Sequence, residues 1–483
     1  MPLRGNGPQI VEEVIHGVTV RDPYRWLEHR DRPETQEWLQ AEKQICDRYF
    51  VQCGDLMAIR SRLHQYLDVD VVDQPAKVAG RYFYRLRRCG REQGCIETEE
   101  LSTGKARLLV DPSKYGHFVS AGILRISDDG ALLAYELRRG GADRVSVHIV
   151  DVDSGKTFVD HLPSGYIRGF AFVPGGGGFY YCHDRSLTES EHTIRLHLFH
   201  ESVADRVVFR AARSRESRLV LTADHARLGA IRTSWNDHTF EMDFWIAKYD
   251  EPENWRLIVG KATSIHPFLR GGRILALTYE NAANGKIVEL TEDWDELRTV
   301  IPEQSQVIRQ LAIVGDRAFA SYQGDSGCSI RCWSATGREE PGIPVPAYGT
   351  VQLLPSRVTD ERVIFYSYES FEERPALFEF DPEATRSKLW PRGLAEPKRH
   401  PLSIQHRTYE SKDGAHIPIT LVRRGDRRPS PACIMTSYGG FGVPSTPQFS
   451  VMVSIMLDLG AILALPHIRG GGEFGDAWHE AGR

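Results

Sequence analysis

The chain has 483 residues, a length that suggests about three domains. Apolar residues make up 41% and charged residues 26%, enough for a large core, and Gly plus Pro stay near average usage, which excludes collagen and low-complexity chains. Sixty basic against sixty-five acidic residues give a net charge of −5, so no basic excess drives non-specific nucleic-acid binding and no polybasic run points to an anionic membrane.

The first residues, MPLRGNGPQIVEEVIHG, contain no apolar run of the kind a secretory signal needs. Residues 1–75 read as mostly helical. Pro33 opens a segment with Glu34 and Glu37, where acids suit the helix dipole. Trp38, Ala41, Ile45 and Tyr49 follow at helical spacing, and a second helix is expected over 56–66.

From about 78 to 390 the texture changes to short alternating apolar runs separated by Gly, Asp and Asn turns. The clearest unit starts at Ser127 and holds ALLAYEL, VSVHIVDV and KTFVDH, joined by turns at Gly140-Gly141 and Asp153-Ser154-Gly155. Similar units begin near Tyr82, Gly169, Arg218, His266, Gln310 and Leu353. Seven units of about 46 residues match the propeller period of four strands per blade. A seven-bladed β-propeller is the economical reading, because radial repetition leaves only short protected edges. Two stacked β-sandwiches are the alternative.

A third texture begins after Pro397. SIQHRTYES and IPITLVRRG flank Lys412-Asp413-Gly414-Ala415 as a β-hairpin. PACIMTSYGGFG then runs an apolar strand into a glycine-rich loop, and AILALPHIRGGGEFG repeats this after a helix over 449–459. The apolar stretch 451–468 is interrupted by Asp458, Gly460 and Pro466, so it reads as helix and buried strand rather than a membrane span. Strand, loop, helix, strand, loop is the opening of an α/β layer. About four strands are present, too few for a complete domain of this type. The eight cysteines are too sparse for a disulfide scaffold, and Cys89/Cys95 and Cys328/Cys332 lack zinc-site spacing. A soluble, cytoplasmic protein is expected.

Open α/β sheets place ligands at the carboxyl ends of their strands. Tyr438-Gly439-Gly440-Phe441-Gly442 follows one strand and Arg469-Gly470-Gly471-Gly472-Glu473 the next, with glycines that allow a sharp turn and close approach. Other patterns dissolve on inspection. Gly324-Asp325-Ser326-Gly327 is followed by Cys328 and sits between two strands, so turn chemistry explains it. Asp151-Val152-Asp153-Ser154-Gly155 lacks the remaining ligands of a calcium loop. Gly155-Lys156-Thr157 lacks the earlier glycine of a phosphate loop. The basic and aromatic run Arg81 to Arg88 reads as a half-buried blade strand rather than a stacking platform.

DPYRWLE at 22–28, the seven-unit middle, YGGFG at 438–442 and IRGGGEFGDAWHEAGR at 468–483 together resemble the prolyl oligopeptidase family of serine peptidases, in the family's own order. YGGFG is closer to the prolyl branch than to its dibasic-cleaving relatives. The resemblance implies three parts: residues 1–75 as a helical segment packing on the catalytic part, 76–396 as the propeller, and 397–483 as the first part of an α/β-hydrolase domain. It implies hydrolysis of short peptides after proline through an acyl-enzyme, with the propeller excluding large folded proteins. It implies no metal or organic cofactor, no nucleic-acid or membrane partner, and a monomer.

Residue by residue, the resemblance makes Tyr438 the donor to the oxyanion and Phe441 a wall of the proline pocket. Arg25 and Trp26 are packing markers, and His467 and His479 are structural or surface residues. The family's nucleophile sits on a G-x-S-x-G elbow. No such motif occurs in the 483 residues, and the Ser, Asp and His of the triad would follow the IRGGG segment. The chain is therefore expected to be truncated before the catalytic serine and inactive alone. A propeller that binds peptides or a partner without catalysis is the competing expectation.

Overall fold

Alternating apolar and polar residues over short runs bounded by turns dictate antiparallel strands, and the strands dominate the structure, a computed structural model. It describes residues 10–54, 56–186, 190–199, 204–214, 216–236, 239–291, 297–324, 327–358, 362–390, 401–425 and 432–483. The chain divides into two units, residues 1–66 and 67–483.

In the first unit the expected helices are present as Pro33–Val51 and Leu56–Leu67, the former with proline in its first turn. The mostly helical expectation is corrected at its start. Val11–Ile15 and Val18–Asp22 pair as a β-hairpin around His16 and Gly17, whose φ values of 50° and 79° suit the tight turn that follows strand twist. Arg25, in the short 3₁₀ turn Arg25–Glu28, ties this hairpin down by pairing with Glu13 at 2.6 Å and Asp22 at 3.0 Å. Trp26 meets Trp38 edge to face at 6.2 Å.

The second unit carries seven successive four-stranded antiparallel blades, so the propeller rather than the paired sandwich is what forms. The innermost strands are Val71–Val78, Val119–Ile126, the second part of Thr157–Phe172, Arg218–Ala223, Ile265–Arg270, Val307–Val314 and Thr350–Leu353. The propeller thus begins at Val71, ahead of the expected boundary at 76. The units read from Tyr82 and Ser127 started at or just before the second strand of their blades. Strand Thr157–Phe172 serves as outer strand of the second blade and inner strand of the third, which joins those two sheets. It can cross over because Gly169 takes φ +136° where a Cβ would lie 2.1 Å from the Leu221 carbonyl oxygen.

Apolar faces of neighbouring blades pack on each other. Phe244, Ile246 and Val259 of the fourth blade, for example, bury against Leu269, Ile274 and Val288 of the fifth. The run from Arg81 is such a strand: Tyr82, Phe83 and Tyr84 are buried and Arg85 pairs with Asp73 at 2.5 Å. The Asp151 carboxylate accepts the Ser154 N–H, the turn chemistry expected there. Gly324 and Gly327 face each other across a hairpin, while Asp325 and Ser326 between them lie outside the described residues.

Every blade uses strands contiguous in sequence, and among the described residues no shared sheet joins the seventh blade to the first. Side chains do it instead. Glu379 takes Lys77 at 2.6 Å and accepts the Tyr82 hydroxyl, and Trp390 packs tilted against the Tyr82 ring and edge to face against the Tyr84 ring. The stretch Ser356-Arg357-Val358 then reaches past the first blade to the second. Ile126 N–H donates to the Arg357 carbonyl at 2.9 Å, the Arg357 guanidinium to the Ile123 carbonyl at 2.7 Å, and Arg125 to the Val358 carbonyl at 3.4 Å. Val358 is buried among Ala76, Phe83, Ile123 and Leu133.

Candidate active site

The expected hairpin forms as Leu402–Glu410 and His416–Arg424. Ile462–Pro466 adds antiparallel to its second strand, and Cys433–Met435 pairs parallel to Ile462–Pro466. The expected boundary at 397 lies outside the described residues. Helix Val451–Asp458 starts where the Ser450 hydroxyl accepts the Val453 N–H, and Asp458 pairs with the buried Arg424 at 2.8 Å. Val422, Leu457 and Leu463 share a core with Phe371 of the seventh blade, so this layer is built directly onto the propeller.

The two glycine loops leave the carboxyl ends of the two parallel strands and stack on one another. Gly442 N–H donates to the Gly470 carbonyl at 3.0 Å. A Cβ on Gly470, whose φ is +90°, would sit 2.3 Å from the Gly439 carbonyl oxygen, and one on Gly472 2.0 Å from that of Gly442. Two main chains therefore touch where any side chain would separate them. His479 hydrogen-bonds the Gly470 carbonyl at 2.9 Å, and His467 bonds Thr420 at 2.9 Å. Both histidines hold backbone or sheet, as expected of structural residues.

On this base the chain presents Tyr438 and Phe441. Tyr438 is 61% exposed, and its hydroxyl has no hydrogen-bond partner among the described residues. Phe441 is 86% exposed on a backbone with φ +55°, a left-handed conformation that costs a bulky residue about 1–2 kcal/mol. This ring packs into no core among the described residues. The two rings stand 6.5 Å apart on one surface. A free phenol donor beside an uncovered apolar ring can hydrogen-bond a developing oxyanion and cover an apolar side chain next to it.

Residues the sequence did not single out fix this platform to the propeller. Arg309, from the inner strand of the sixth blade, donates to the Gly472 carbonyl at 2.6 Å. Burial pushes its guanidinium below the usual arginine value, and the charge of Glu473 opposes that shift. Glu473 is itself buried, accepts the Ser445 N–H at 2.8 Å and lies 3.7 Å from His467. A cavity of about 400 Å³ opens here between blades and sheet, lined by Gln323, Tyr348, His406, Thr420, His467 and Glu473. No motif spacing could have paired Arg309 with a glycine so far along the chain. Among the described residues no cluster of His, Cys, Asp or Glu is arranged to hold a metal ion, and no helix is long and apolar enough to cross a membrane.

The seventh blade grips the loop that leads into the helix. Thr350 donates to the Pro447 carbonyl at 2.7 Å, and Glu369 accepts the Phe449 N–H at 3.0 Å. Burial raises the Glu369 pKa above the ordinary 4.5, only partly offset by that N–H. Between its unfolded and folded pKa values such a group binds more protons folded than unfolded, so it weakens the fold as pH rises from about 4.5 through that window. Glu369→Gln keeps an acceptor for Phe449 and removes the buried charge. Melting temperatures between pH 5 and 8 are expected to fall less steeply in the variant and to match or exceed the parent at pH 7; a lower value at pH 7 with an unchanged slope contradicts this account.

The chain is thus a seven-bladed propeller that carries an α/β layer, with glycine loops at the ends of parallel strands. The model of the prolyl oligopeptidase N-terminal β-propeller domain matches residues 7–392, and the chain belongs to the prolyl oligopeptidase family. It is 26% identical to a prolyl endopeptidase of Elizabethkingia miricola and 24% identical to one of Elizabethkingia meningoseptica, in each case over 97% of this chain and 68% of the relative. A solved prolyl endopeptidase structure superposes with a TM-score of 0.88 at 26% identity, covering 100% of this chain and 73% of the other. Prolyl oligopeptidase B of Galerina marginata, at 20% identity and a TM-score of 0.84, shares the fold.

Proposed function

We propose that this chain is the propeller and the first part of the catalytic domain of a serine peptidase that hydrolyses short peptides after proline. Tyr438 donates to the oxyanion of the tetrahedral intermediate, and Phe441 lines the pocket for the proline ring. The observation that carries this reading is the pair itself: an unpartnered phenol and an uncovered ring on strained backbone, at the carboxyl ends of parallel strands. Similarity to prolyl endopeptidases along nearly the whole chain supports a peptidase over a propeller that only binds. In this scheme the propeller limits access to short peptides.

The acyl-transfer step needs a serine activated by histidine, and no G-x-S-x-G lies within 1–483. Residues 1–483 therefore lack the nucleophile that the proposed reaction needs, and they are expected to be inactive by themselves. The test uses two proteins, this chain and a longer form read from the encoding DNA beyond Arg483. An organophosphonate is expected to label the longer form at a G-x-S-x-G serine and to leave the 483-residue chain unlabelled. The longer form is expected to cleave a reporter peptide after proline and spare one with alanine at that position. Labelling of the short chain, or a longer form without a reactive serine, sinks the proposal.

A further inference from the structure

Tyr438 is 61% exposed and makes no hydrogen bond among the described residues, so no side-chain partner fixes where its hydroxyl lies. The main chain beneath it does. That main chain rests on the second glycine loop. A Cβ on Gly472 would lie 2.0 Å from the Gly442 carbonyl oxygen, and the Gly442 N–H donates to the Gly470 carbonyl at 3.0 Å. Beyond these contacts, Glu473 accepts the Ser445 N–H at 2.8 Å. With main chain against main chain, a displacement of the second loop is carried into the first.

Among the described residues, the propeller makes one hydrogen bond to the second loop, and Arg309 supplies it, donating to the Gly472 carbonyl at 2.6 Å. The strand Val307–Val314 is irregular at this point. Ile308 pairs with Tyr322 and Gln310 with Ser321, which leaves Arg309 as the extra residue of a β-bulge. A bulge re-aims a side chain that would otherwise follow the pleat, and here it turns the guanidinium onto Gly472.

The blade itself gains little from this arginine. Its Nε is buried without a partner, and it makes no ion pair among the described residues. Burial pushes the guanidinium below the usual arginine value, with the charge of Glu473 opposing. A partly dehydrated cation with a single carbonyl acceptor recovers little more than the solvation it gives up. The bond therefore serves the loop it reaches.

We propose that Arg309 is a positioning residue for the oxyanion donor: its bond to the Gly472 carbonyl sets the place of the stacked glycine loops, and with it the place of the Tyr438 hydroxyl. Arg309 has this role only if Tyr438 has the one proposed above, and it brings the propeller into catalysis itself, beyond limiting access. The required precision is high. An oxyanion donor acts over about 2.7–3.1 Å, and a misplacement on the order of 1 Å costs about 10²-fold in rate.

The test is a double-mutant cycle in a form of the protein that carries the triad. Arg309→Met keeps the apolar stem and removes the donor; it is expected to lower kcat by about 10- to 100-fold with KM within a few fold. In the Tyr438→Phe background the same substitution is expected to change kcat by less than about twofold, because the group it positions is gone. Arg309→Lys keeps a donor and is expected to recover part of kcat, and it serves if the methionine variant does not fold. In the 483-residue chain, Arg309→Met is expected to speed amide exchange at Gly442 about tenfold while the sixth blade exchanges at parent rates. A kcat unchanged by Arg309→Met, or unaltered exchange at Gly442, overturns the positioning role. An equally large loss added to that of Tyr438→Phe also overturns it, since Arg309 then acts on its own. A silent Tyr438→Phe rejects the oxyanion reading and this role together, whereas a large Tyr438 effect with a silent or additive Arg309 rejects the role of Arg309 alone.

Discussion

Tyr438→Phe, in a form of the protein that carries the triad, is expected to lower kcat by about 10²–10³-fold while leaving KM within a few fold. The phenol stands clear of other groups in the structure, so the substitution removes a donor without breaking a hydrogen bond in the fold. Such a donor matters mainly once the carbonyl has become an oxyanion, which separates kcat from KM. Stability should be nearly unchanged, because the ring and its 6.5 Å neighbour Phe441 remain. Steady-state kinetics on a Gly-Pro reporter decide the matter. A kcat within about threefold of the parent removes Tyr438 from the oxyanion site.

The second large effect concerns the base on which Tyr438 stands. Gly470→Ala places a methyl 2.3 Å from the Gly439 carbonyl oxygen, on a residue already at φ +90°. The left-handed backbone costs alanine about 1–2 kcal/mol and the overpacking a further 1–3 kcal/mol, so roughly 2–5 kcal/mol falls on the paired loops. The main chain is the obstacle, and no rotamer change relieves it. Amide exchange at Gly442, whose N–H donates to the Gly470 carbonyl, should accelerate strongly, while exchange in the fourth and fifth blades stays at parent rates. Unchanged protection at Gly442 would show that the loops part without cost.

The blades were largely legible because a strand buried on alternating faces writes a period of two into the sequence, and Gly-rich turns punctuate it. The ILALP strand and its preceding helix were legible for the same local reasons. The hairpin at Val11–Asp22 was not. Its strands are exposed at nearly every position, so no apolar alternation marks them, and only the His16-Gly17 pair signals the turn. At the site, Tyr438 and Phe441 were picked out by the family resemblance that the YGGFG run carries. Arg309 was not, since its meaning comes from two distant segments meeting at Gly472.

Ring closure also has a place in time. The hydrogen bonds between Ile123–Ile126 and Arg357–Val358 join residues more than two hundred positions apart. During synthesis the second blade is complete long before its partner leaves the ribosome, and until then the Val358 niche among Ala76, Phe83 and Leu133 stays open. Blades can form one by one from local hairpins, which are quick, but the circle waits for its most distant contact. The last blade thus acts as a kinetic latch: nascent chains shorter than about 360 residues should carry formed blades in an open arc, with an apolar notch that a chaperone can recognise.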